Sequence, residues 1–467
     1  MNSRLELTAD EMRDIGYRVV DAIVLHLSTL QDQRVGAKGD PSKLISRYRE
    51  PPPEHGAAFP ELLEQLQREV LSSTMHVNHP RFFAYVPGPS NFVGAMADAL
   101  VSGYNVFAGT WISGSGAAAI ELATIGWLRD LCGFPASTGG LFVSGGTVAN
   151  LTALAVARHV KLEDRLDHAT VYLSDQSHSS LDKALRLLGL GKESVRKLAS
   201  DAQFRLPMDA LERSIREDRA AGSRPFCIIA SAGTTNTGAI DPLPELAALA
   251  RRENLWLHVD GAYGAAAALC DRGRCLLSGL DLADSLSLDP HKWLFQPFEI
   301  GCVLVRDARL LHDTFQILPE YLKDTHQQSA EINFTDYGLQ LTRSFRALKL
   351  WLSLKYFGLA AFREAIEHGF ALAEFTEACL RKMPGWEIVT PAQMGIVCFR
   401  YADADDAAHL TLVQELIRDG FALITSTILR GRTVLRMCPI NPRSTEGDVE
   451  QALKKLDQFA RERRPVR

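Results

Sequence analysis

Short, unbroken apolar runs alternate with longer amphipathic segments through the middle of the chain. The apolar runs lie at residues 140–143, 170–173, 226–229, 255–259, 285–288 and 302–305. Most of them are separated by segments of helical length, such as residues 243–253. Fully apolar strands that alternate with helices are typical of a mostly parallel sheet covered on both faces. The pattern therefore predicts an α/β fold with a large, mostly parallel central sheet.

The N-terminal residues predict an amphipathic helix that lies outside this alternation. Thr8-Ala-Asp-Glu11 has the pattern of a helix capping box. Apolar side chains then follow at helical spacing, at Met12, Ile15, Val19, Ile23, Leu27 and Leu30. Because the apolar stripe covers one side of the helix, we expect that side to pack on another surface, such as a second subunit.

The residues that follow the alternating region predict a smaller domain. A helix is expected from Ala347 to Phe357, and Gly358 is expected to end it. Short strands are indicated at residues 395–399 and 433–436. This mixture of helices and short strands favours an α+β domain.

The length of the chain also indicates more than one structural unit. At 467 residues it exceeds the size at which a single hydrophobic core keeps growing. We expect an N-terminal helical dimerisation segment at residues 1–87, a large domain at 88–349 and a small C-terminal domain at 350–467.

Composition and charge exclude several classes of function. The net charge is −5, so no basic surface favours a nucleic-acid partner. The sequence contains no run of 18 apolar residues, so no membrane span is predicted. The eight cysteines are scattered without C-x-x-C spacing and the N-terminal residues lack a secretory pattern, so we expect reduced thiols and a cytoplasmic location. His76 and His79 have no accompanying cluster of ligands, and no metal site is predicted.

Polar residues that could take part in catalysis or ligand binding follow the predicted strands. They are Thr147, His178, Thr235, Asp260 and Lys292. In open α/β sheets, ligands bind beyond the carboxyl ends of the parallel strands. The shared placement predicts that these side chains meet at one edge of the sheet.

Lys292 and Asp260 are the pair that pyridoxal phosphate requires. The lysine amine forms a Schiff base with the cofactor aldehyde, and the carboxylate keeps the pyridine nitrogen protonated. Lys292 follows an apolar strand and precedes Trp293, a poor context for a solvent-exposed amine. Asp260 is also a suitable helix cap, but the small residues after it leave room for a flat ring. The sequence thus favours a pyridoxal-phosphate enzyme.

Three further positions each allow two interpretations. Ser144-Gly-Gly-Thr147 predicts a phosphate-binding turn before a helix at 148–158, and Thr147 as helix N-cap is compatible with it. His178 either begins a helix or stacks on the cofactor, and spacing alone slightly favours the helix start. Tyr321 is either a surface loop residue or a proton donor on a mobile lid.

Several motifs together resemble the group II pyridoxal-phosphate decarboxylases, and most closely the aromatic L-amino-acid decarboxylases. In chain order the motifs are Pro80-Arg-Phe-Phe-Ala-Tyr85, Ser174-Asp-Gln-Ser-His-Ser-Ser180, Gly233-Thr-Thr235, Leu257-His-Val-Asp260, Asp289-Pro-His-Lys-Trp293, Tyr321-Leu-Lys323, Arg343-Ser-Phe-Arg-Ala-Leu-Lys-Leu-Trp351 and Val397-Cys-Phe-Arg400. The resemblance runs from about residue 8 to residue 460. It implies a fold-type-I pyridoxal-phosphate domain, a homodimer with sites at the interface, and decarboxylation of an amino acid.

The resemblance also implies roles for individual residues. Lys292 would carry the cofactor, Asp260 would contact its ring nitrogen, and His178 would stack on its ring. The remaining cofactor contacts would be Gly146, Thr147 and His291 near the phosphate and Thr235 and Ala262 near the ring. The tyrosine of the family's mobile loop, which protonates the substrate Cα, matches Tyr321. The expected substrate pocket contains Phe82, Phe83, Trp111 and Thr342.

The chain departs from the family pattern at some of these positions. Asp289 stands where asparagine is frequent, and a carboxylate there is a doubtful phosphate ligand unless it turns toward backbone N–H groups. Thr342 occupies a position where glycine or serine is frequent, and its bulk favours a phenolic over an indolic substrate. Other functions remain open. An aldehyde synthase has phenylalanine at the position of Tyr321, Arg81 fits a decarboxylase of an acidic amino acid, and a non-catalytic homologue would be expected to lose the catalytic residues.

Overall fold

The computed structural model describes residues 5–317 and 331–462. The chain forms two compact units. One contains residues 1–87, 378–389 and 399–467, and the other contains residues 88–377 and 390–398. Because the first unit combines segments from both ends of the chain, the three successive domains expected from the sequence stay a prediction.

Helices and strands alternate along much of the chain. The α-helices are α1 (Ala9–Ser28), α2 (Pro41–Tyr48), α3 (Phe59–Gln65), α4 (Phe92–Tyr104), α5 (Trp111–Leu131), α6 (Gly146–Leu162), α7 (Ser179–Leu187), α8 (Met208–Ala220), α9 (Leu243–Arg252), α10 (Asp271–Leu276), α11 (Arg309–Phe315), α12 (Ala347–Lys382), α13 (Asp406–Asp419) and α14 (Glu446–Glu462). The strands are β1 (Gly139–Val143), β2 (Ala169–Ser174), β3 (Val195–Leu198), β4 (Arg224–Ser231), β5 (Trp256–Asp260), β6 (Ser285–Leu288), β7 (Gly301–Val305), β8 (Trp386–Gln393), β9 (Ile396–Tyr401), β10 (Thr425–Leu429) and β11 (Arg432–Met437).

A seven-stranded sheet forms the core of the second unit. Its strand order is β1-β7-β6-β5-β4-β2-β3. The pairs β2–β3, β2–β4, β4–β5 and β5–β6 are parallel, and β7 runs antiparallel to both of its neighbours. The prediction of a mostly parallel α/β sheet is confirmed. Every strand except β7 points its carboxyl end to the same edge, which places the segments after these strands close together.

Helix α6 packs against the middle of this sheet and begins at the cavity edge. The helix contacts β4, β5, β6 and β7. Buried small residues along it, such as Ala149 and Ala153, let it approach the strands closely. It begins at Gly146 with Gly145 as its N-cap, and not at residue 148 as the sequence suggested. Thr147 therefore lies in the first helical turn and is not the cap.

The helix predicted to end at Gly358 continues beyond it. Gly358 has φ 76° and ψ 156°, which breaks the helical path, but the chain resumes the helix as far as Lys382. Glycine reaches this left-handed φ without steric cost. The residue therefore produces a kink within α12, where the sequence indicated a stop.

In the first unit, α1 has the predicted capping box. The Thr8 N–H donates to Glu11 Oε2 at 2.7 Å, and the Glu11 N–H donates to Thr8 Oγ1 at 3.3 Å. No residue of α1 is buried.

A second sheet has the strand order β10-β11-β9-β8. Among the described residues, no helix is long and apolar enough to cross a membrane.

Candidate active site

A cavity of about 390 Å³ lies at the carboxyl edge of the seven-stranded sheet. It is lined by Ser144, Gly145, Gly146, Thr147, His178, Ser180, Ser231, Gly233, Thr234, Thr235, Asp260, Ala262, Tyr263, Asp289, His291 and Lys292. These residues follow β1, β2, β4, β5 and β6 or stand at their ends. The topology thus brings together segments that are far apart in the sequence.

Lys292 lies in the segment between β6 and β7 and forms an ion pair. Its Nζ is 3.0 Å from Asp289 Oδ2, and about a quarter of its side chain is exposed. Asp289 is 2% exposed. Asp289 thus directs its carboxylate to the lysine amine, and its departure from the family's asparagine gives Lys292 a buried anionic partner.

Asp260 ends β5 with its carboxylate held by three donors. They are the Asn150 Nδ2 at 3.1 Å, the Ser287 Oγ at 3.2 Å and the Ala262 backbone N–H at 3.1 Å. Hydrogen bonds to an ionised group are stronger than those between neutral groups. The three donors fix the orientation of an anionic side chain at the cavity wall.

His178 begins a helix, which was one of the two interpretations that the sequence left open, and its stacking on the cofactor stays a prediction. It is the N-cap of α7, and its Nδ1 accepts the Ser180 backbone N–H at 3.2 Å. It also lines the cavity. Burial lowers the pKa of His178, so the ring favours its neutral form. With Nδ1 accepting, the proton of the neutral ring lies on Nε2.

Two glycines at the start of α6 leave space that a side chain would occupy. A Cβ at Gly145 would lie 3.1 Å from His291 Cε1, and one at Gly146 would lie 2.9 Å from Asp289 Oδ2. The first N–H groups of a helix have no partner within it and favour an anion. The His291 Nδ1 accepts the Ile300 N–H at 3.2 Å, and burial lowers the pKa of His291. Its neutral ring therefore carries the proton on Nε2.

The chain matches a known family over most of its length. The pyridoxal-dependent decarboxylase conserved domain matches residues 41–402. The chain belongs to this family. An aromatic-L-amino-acid decarboxylase from Bacillus atrophaeus is 49% identical over 470 residues, which cover 99% of this chain and 98% of that protein. A phenylacetaldehyde synthase from Arabidopsis thaliana is 29% identical over 97% of this chain and 96% of its own length.

Solved structures agree with the family assignment. The crystal structure of Oryza sativa TDC with PLP and tryptamine has a TM-score of 0.93 and 29% sequence identity, and the match covers 99% of both chains. The fold expected from the motifs is therefore confirmed. The protein is a carboxy-lyase that uses pyridoxal 5'-phosphate.

The residues of this decarboxylase fit the cofactor. The cavity lining includes Lys292, whose amine suits the cofactor aldehyde, and Asp260, whose oriented carboxylate suits the ring nitrogen. The glycine turn at the start of α6 leaves room for the phosphate, and the turn would be filled by any Cβ. The eight residues predicted to bind the cofactor all line this one cavity. Their individual roles stay predictions.

The four residues predicted for the substrate pocket do not line this cavity among the described residues. Trp111 begins α5, and its backbone N–H donates to Asn333 Oδ1 at 2.8 Å. Thr342 is exposed. Phe82 and Phe83 belong to the first compact unit and are 3% and 0% exposed there. Phe82 packs with Val35, Ala84 and Leu423. Tyr321 lies outside the described residues.

Arg81, which had suggested an acidic substrate, is fully engaged within the first unit. Its Nη1 is 3.2 Å from Asp448 Oδ1, and its Nε and Nη2 each donate to a backbone carbonyl at 2.9 Å. Its guanidinium also lies 4.3 Å from the centre of the Phe421 ring. The side chain is 6% exposed. Arg81 therefore has a structural role within this unit.

Three buried residues behind the cavity were not predicted from the sequence. Asn150, His258 and Ser287 belong to the hydrogen-bonded surroundings of Asp260. A signal was present, because His258 lies two residues before Asp260 on a strand and shares its face. Asn150 similarly lies four residues after Gly146 on one helix face.

Acid is expected to destabilise the decarboxylase through buried histidine. Burial lowers the pKa of His258 to about 4, whereas an unfolded histidine has a pKa of about 6.5. Between these values the unfolded chain binds a proton that the folded chain does not, so the free energy of unfolding falls as the pH falls from 6.5 to 4. Urea unfolding at about pH 7.5 and about pH 5 measures this loss. His258→Gln should show a smaller decrease, and equal decreases would contradict the assignment.

Proposed function

We propose that this decarboxylase removes the α-carboxyl group of an aromatic L-amino acid and releases the corresponding amine and CO₂. The observation that carries the proposal is the placement of Lys292 and Asp260 on the wall of one cavity, with His178 beside them. Two of its relatives, an aromatic-L-amino-acid decarboxylase and a structure with bound tryptamine, support the substrate class.

Several cavity residues have a part in this reaction. Bound pyridoxal phosphate supplies a ring that accepts the electrons of the breaking bond. Asp260 would hold a proton at the ring nitrogen, and Lys292 would hold the cofactor through its amine. His178 presents its Nε2–H to the cavity, where it can orient the substrate carboxylate. The start of α6 and the Nε2–H of His291 would donate to the phosphate.

The assignment of Phe82, Phe83, Trp111 and Thr342 to the aromatic side chain of the substrate stays a prediction from the family resemblance, since none of them lines the cavity that the described residues form. The engagement of Arg81 with Asp448 and two backbone carbonyls weakens the case for an acidic amino acid. A threonine at position 342 favours phenolic over indolic side chains by its bulk. Release of CO₂ and amine from each of the standard amino acids and dihydroxyphenylalanine tests the proposal. Release from glutamate but not from tyrosine or tryptophan would overturn it.

An aldehyde synthase is the second candidate, because a phenylacetaldehyde synthase is among the relatives. The two reactions share the loss of CO₂ and differ in whether the product is an amine or an aldehyde. Tyr321 favours the amine, since a phenol at this position can protonate the substrate Cα.

Tyr321→Phe is expected to lower amine formation by about 10²–10⁴-fold, the usual contribution of a general acid. The bound cofactor should remain, and aldehyde should rise as a share of product. Product analysis of the wild type and the variant decides between the candidates. Amine formation at the wild-type rate would remove this role from Tyr321.

The decarboxylase is further proposed to act as a homodimer in the cytoplasm. Large apolar residues of α1 are exposed in the single chain, with Met12 54%, Tyr17 67% and Leu25 63% exposed. Exposed apolar side chains of this kind are stabilised by burial against a second copy. Sedimentation of the purified protein measures the assembly, and a monomer at micromolar concentration would contradict it.

A further inference from the structure

A chain of buried side chains connects the interior of the sheet to both sides of the cavity. It begins at Trp256, whose Nε1–H donates to Ser285 Oγ at 2.8 Å. Ser285 Oγ is 2.9 Å from His258 Nδ1, and His258 Nε2 is 3.0 Å from Asn150 Oδ1. Asn150 Nδ2 then reaches Asp260 Oδ2 at 3.1 Å and Ser180 Oγ at 3.2 Å.

The direction of every hydrogen bond in this chain is set by chemistry. A carboxylate only accepts, so Asn150 must turn its amide nitrogen to Asp260 and its oxygen to His258. His258 must then carry its proton on Nε2 and accept from Ser285 at Nδ1. The lowered pKa of His258 agrees with this neutral ring.

The same logic continues to His178. The second hydrogen of Asn150 Nδ2 points to Ser180 Oγ, which leaves the Ser180 hydroxyl hydrogen for His178 Nδ1 at 2.8 Å. The Ser180 backbone N–H donates to that same nitrogen. Asn150 therefore donates one amide hydrogen to Asp260 and the other to Ser180, and the Ser180 hydroxyl in turn donates to His178.

Strand register reinforces this arrangement. His258 pairs with Ser285 and Asp260 pairs with Ser287 across β5 and β6. His258, Ser285 and Ser287 are each 0% exposed, as is Asn150. Water does not compete for these bonds, and an interrupted chain would leave buried polar groups unsatisfied, which is costly.

We propose that Asn150 and His258 are positioning residues that hold Asp260 as an acceptor for the cofactor ring and His178 as an Nε2–H donor toward the substrate. The inference rests on the proposed function, because it concerns the same cavity. Neither side chain lines the cavity among the described residues, so both act through Asp260 and Ser180.

Asn150→Asp tests the proposal with almost no change of shape. The new carboxylate cannot donate to Asp260 or Ser180, and it places a second negative charge beside the first. We expect kcat for CO₂ release to fall by about 10- to 100-fold, the range found when hydrogen-bond partners that orient metal-binding side chains are removed. The absorption spectrum of the bound cofactor, which reports ring protonation, should change in the same variant.

A pair of histidine variants separates positioning from packing. His258→Gln keeps a donor toward Asn150 and an acceptor toward Ser285, and it should retain the wild-type spectrum and most of the rate. His258→Leu fills the space without these groups and should behave like Asn150→Asp. Thr152→Val is the control, since Thr152 is a buried residue of α6 whose hydroxyl donates to the Val148 carbonyl of the same helix.

The outcomes separate the two proposals. A wild-type rate and spectrum in Asn150→Asp, or equal losses in His258→Gln and His258→Leu, would overturn the positioning roles. If Asn150→Asp does not fold, the comparison of His258→Gln with His258→Leu still tests the positioning roles. If the wild type releases no CO₂ from any amino acid, the proposed function fails, and the cofactor spectra of the variants still test the positioning roles.

Discussion

Lys292→Ala is expected to abolish covalent attachment of the cofactor and to lower CO₂ release by about 10⁴-fold or more, as when other enzymes lose a covalent nucleophile. The amine is one of the two groups that the cavity offers to pyridoxal phosphate, and no neighbouring side chain can replace it within the described wall. Borohydride reduction followed by peptide mass analysis measures attachment. Labelled CO₂ measures the rate.

Lys197→Ala is the matched control for this variant. Lys197 forms an ion pair with Asp182 at 2.8 Å, and Lys292 forms one with Asp289 at 3.0 Å, but Lys197 does not line the cavity. Both variants lose a lysine–aspartate pair, and only Lys292→Ala should lose the chemistry. Cofactor retained covalently in Lys292→Ala would mean that another lysine carries it.

Asp260→Ala is expected to lower kcat by about 10²–10³-fold, the scale of removing one preorganised electrostatic contact. Without the carboxylate, the ring nitrogen loses the anion that keeps it protonated, so the ring accepts electrons poorly. The cofactor should remain attached through Lys292 with an altered absorption spectrum. Steady-state rates and spectra of the purified variant measure both effects.

Asp218→Ala controls for the loss of a buried carboxylate. Asp218 accepts from the Tyr172 hydroxyl at 2.7 Å and pairs with Arg196 at 2.7 Å, away from the cavity residues. The Asp218→Ala variant should be less stable than the wild type and should keep the wild-type absorption spectrum of the cofactor. A wild-type kcat in Asp260→Ala would exclude the ring-nitrogen role.

The sheet and the cavity edge could be predicted from the sequence because both depend on local pattern. Apolar runs indicated six of the seven strands, and the polar residues after them met at one edge as parallel topology requires. The missed strand, β3, has the sequence Val195-Arg-Lys-Leu198 and lies at the edge of the sheet. An edge strand exposed to solvent does not need an apolar run, so hydrophobicity gave no signal.

Partners distant in the sequence explain most of the features that were not predicted. From the sequence, the guanidinium of Arg81 was available to bind an acidic substrate. Only the fold shows that it forms an ion pair with Asp448. Asn150 and His258 meet because α6 packs on β5, which no local pattern specifies. Gly358 was expected to stop a helix, but the helix resumes beyond it, where Ile366 and Phe370 are buried in the core.

The reversed strand β7 has a consequence for handling the protein. The segment with Lys292 leaves β6 and returns directly into β7, so both of its ends are fixed by adjacent, hydrogen-bonded strands. The entropic cost of bringing the two ends of this segment together is therefore met when the sheet forms. When a competing amine removes the cofactor, the protein should therefore stay folded. Added pyridoxal phosphate should then bind again without a refolding step.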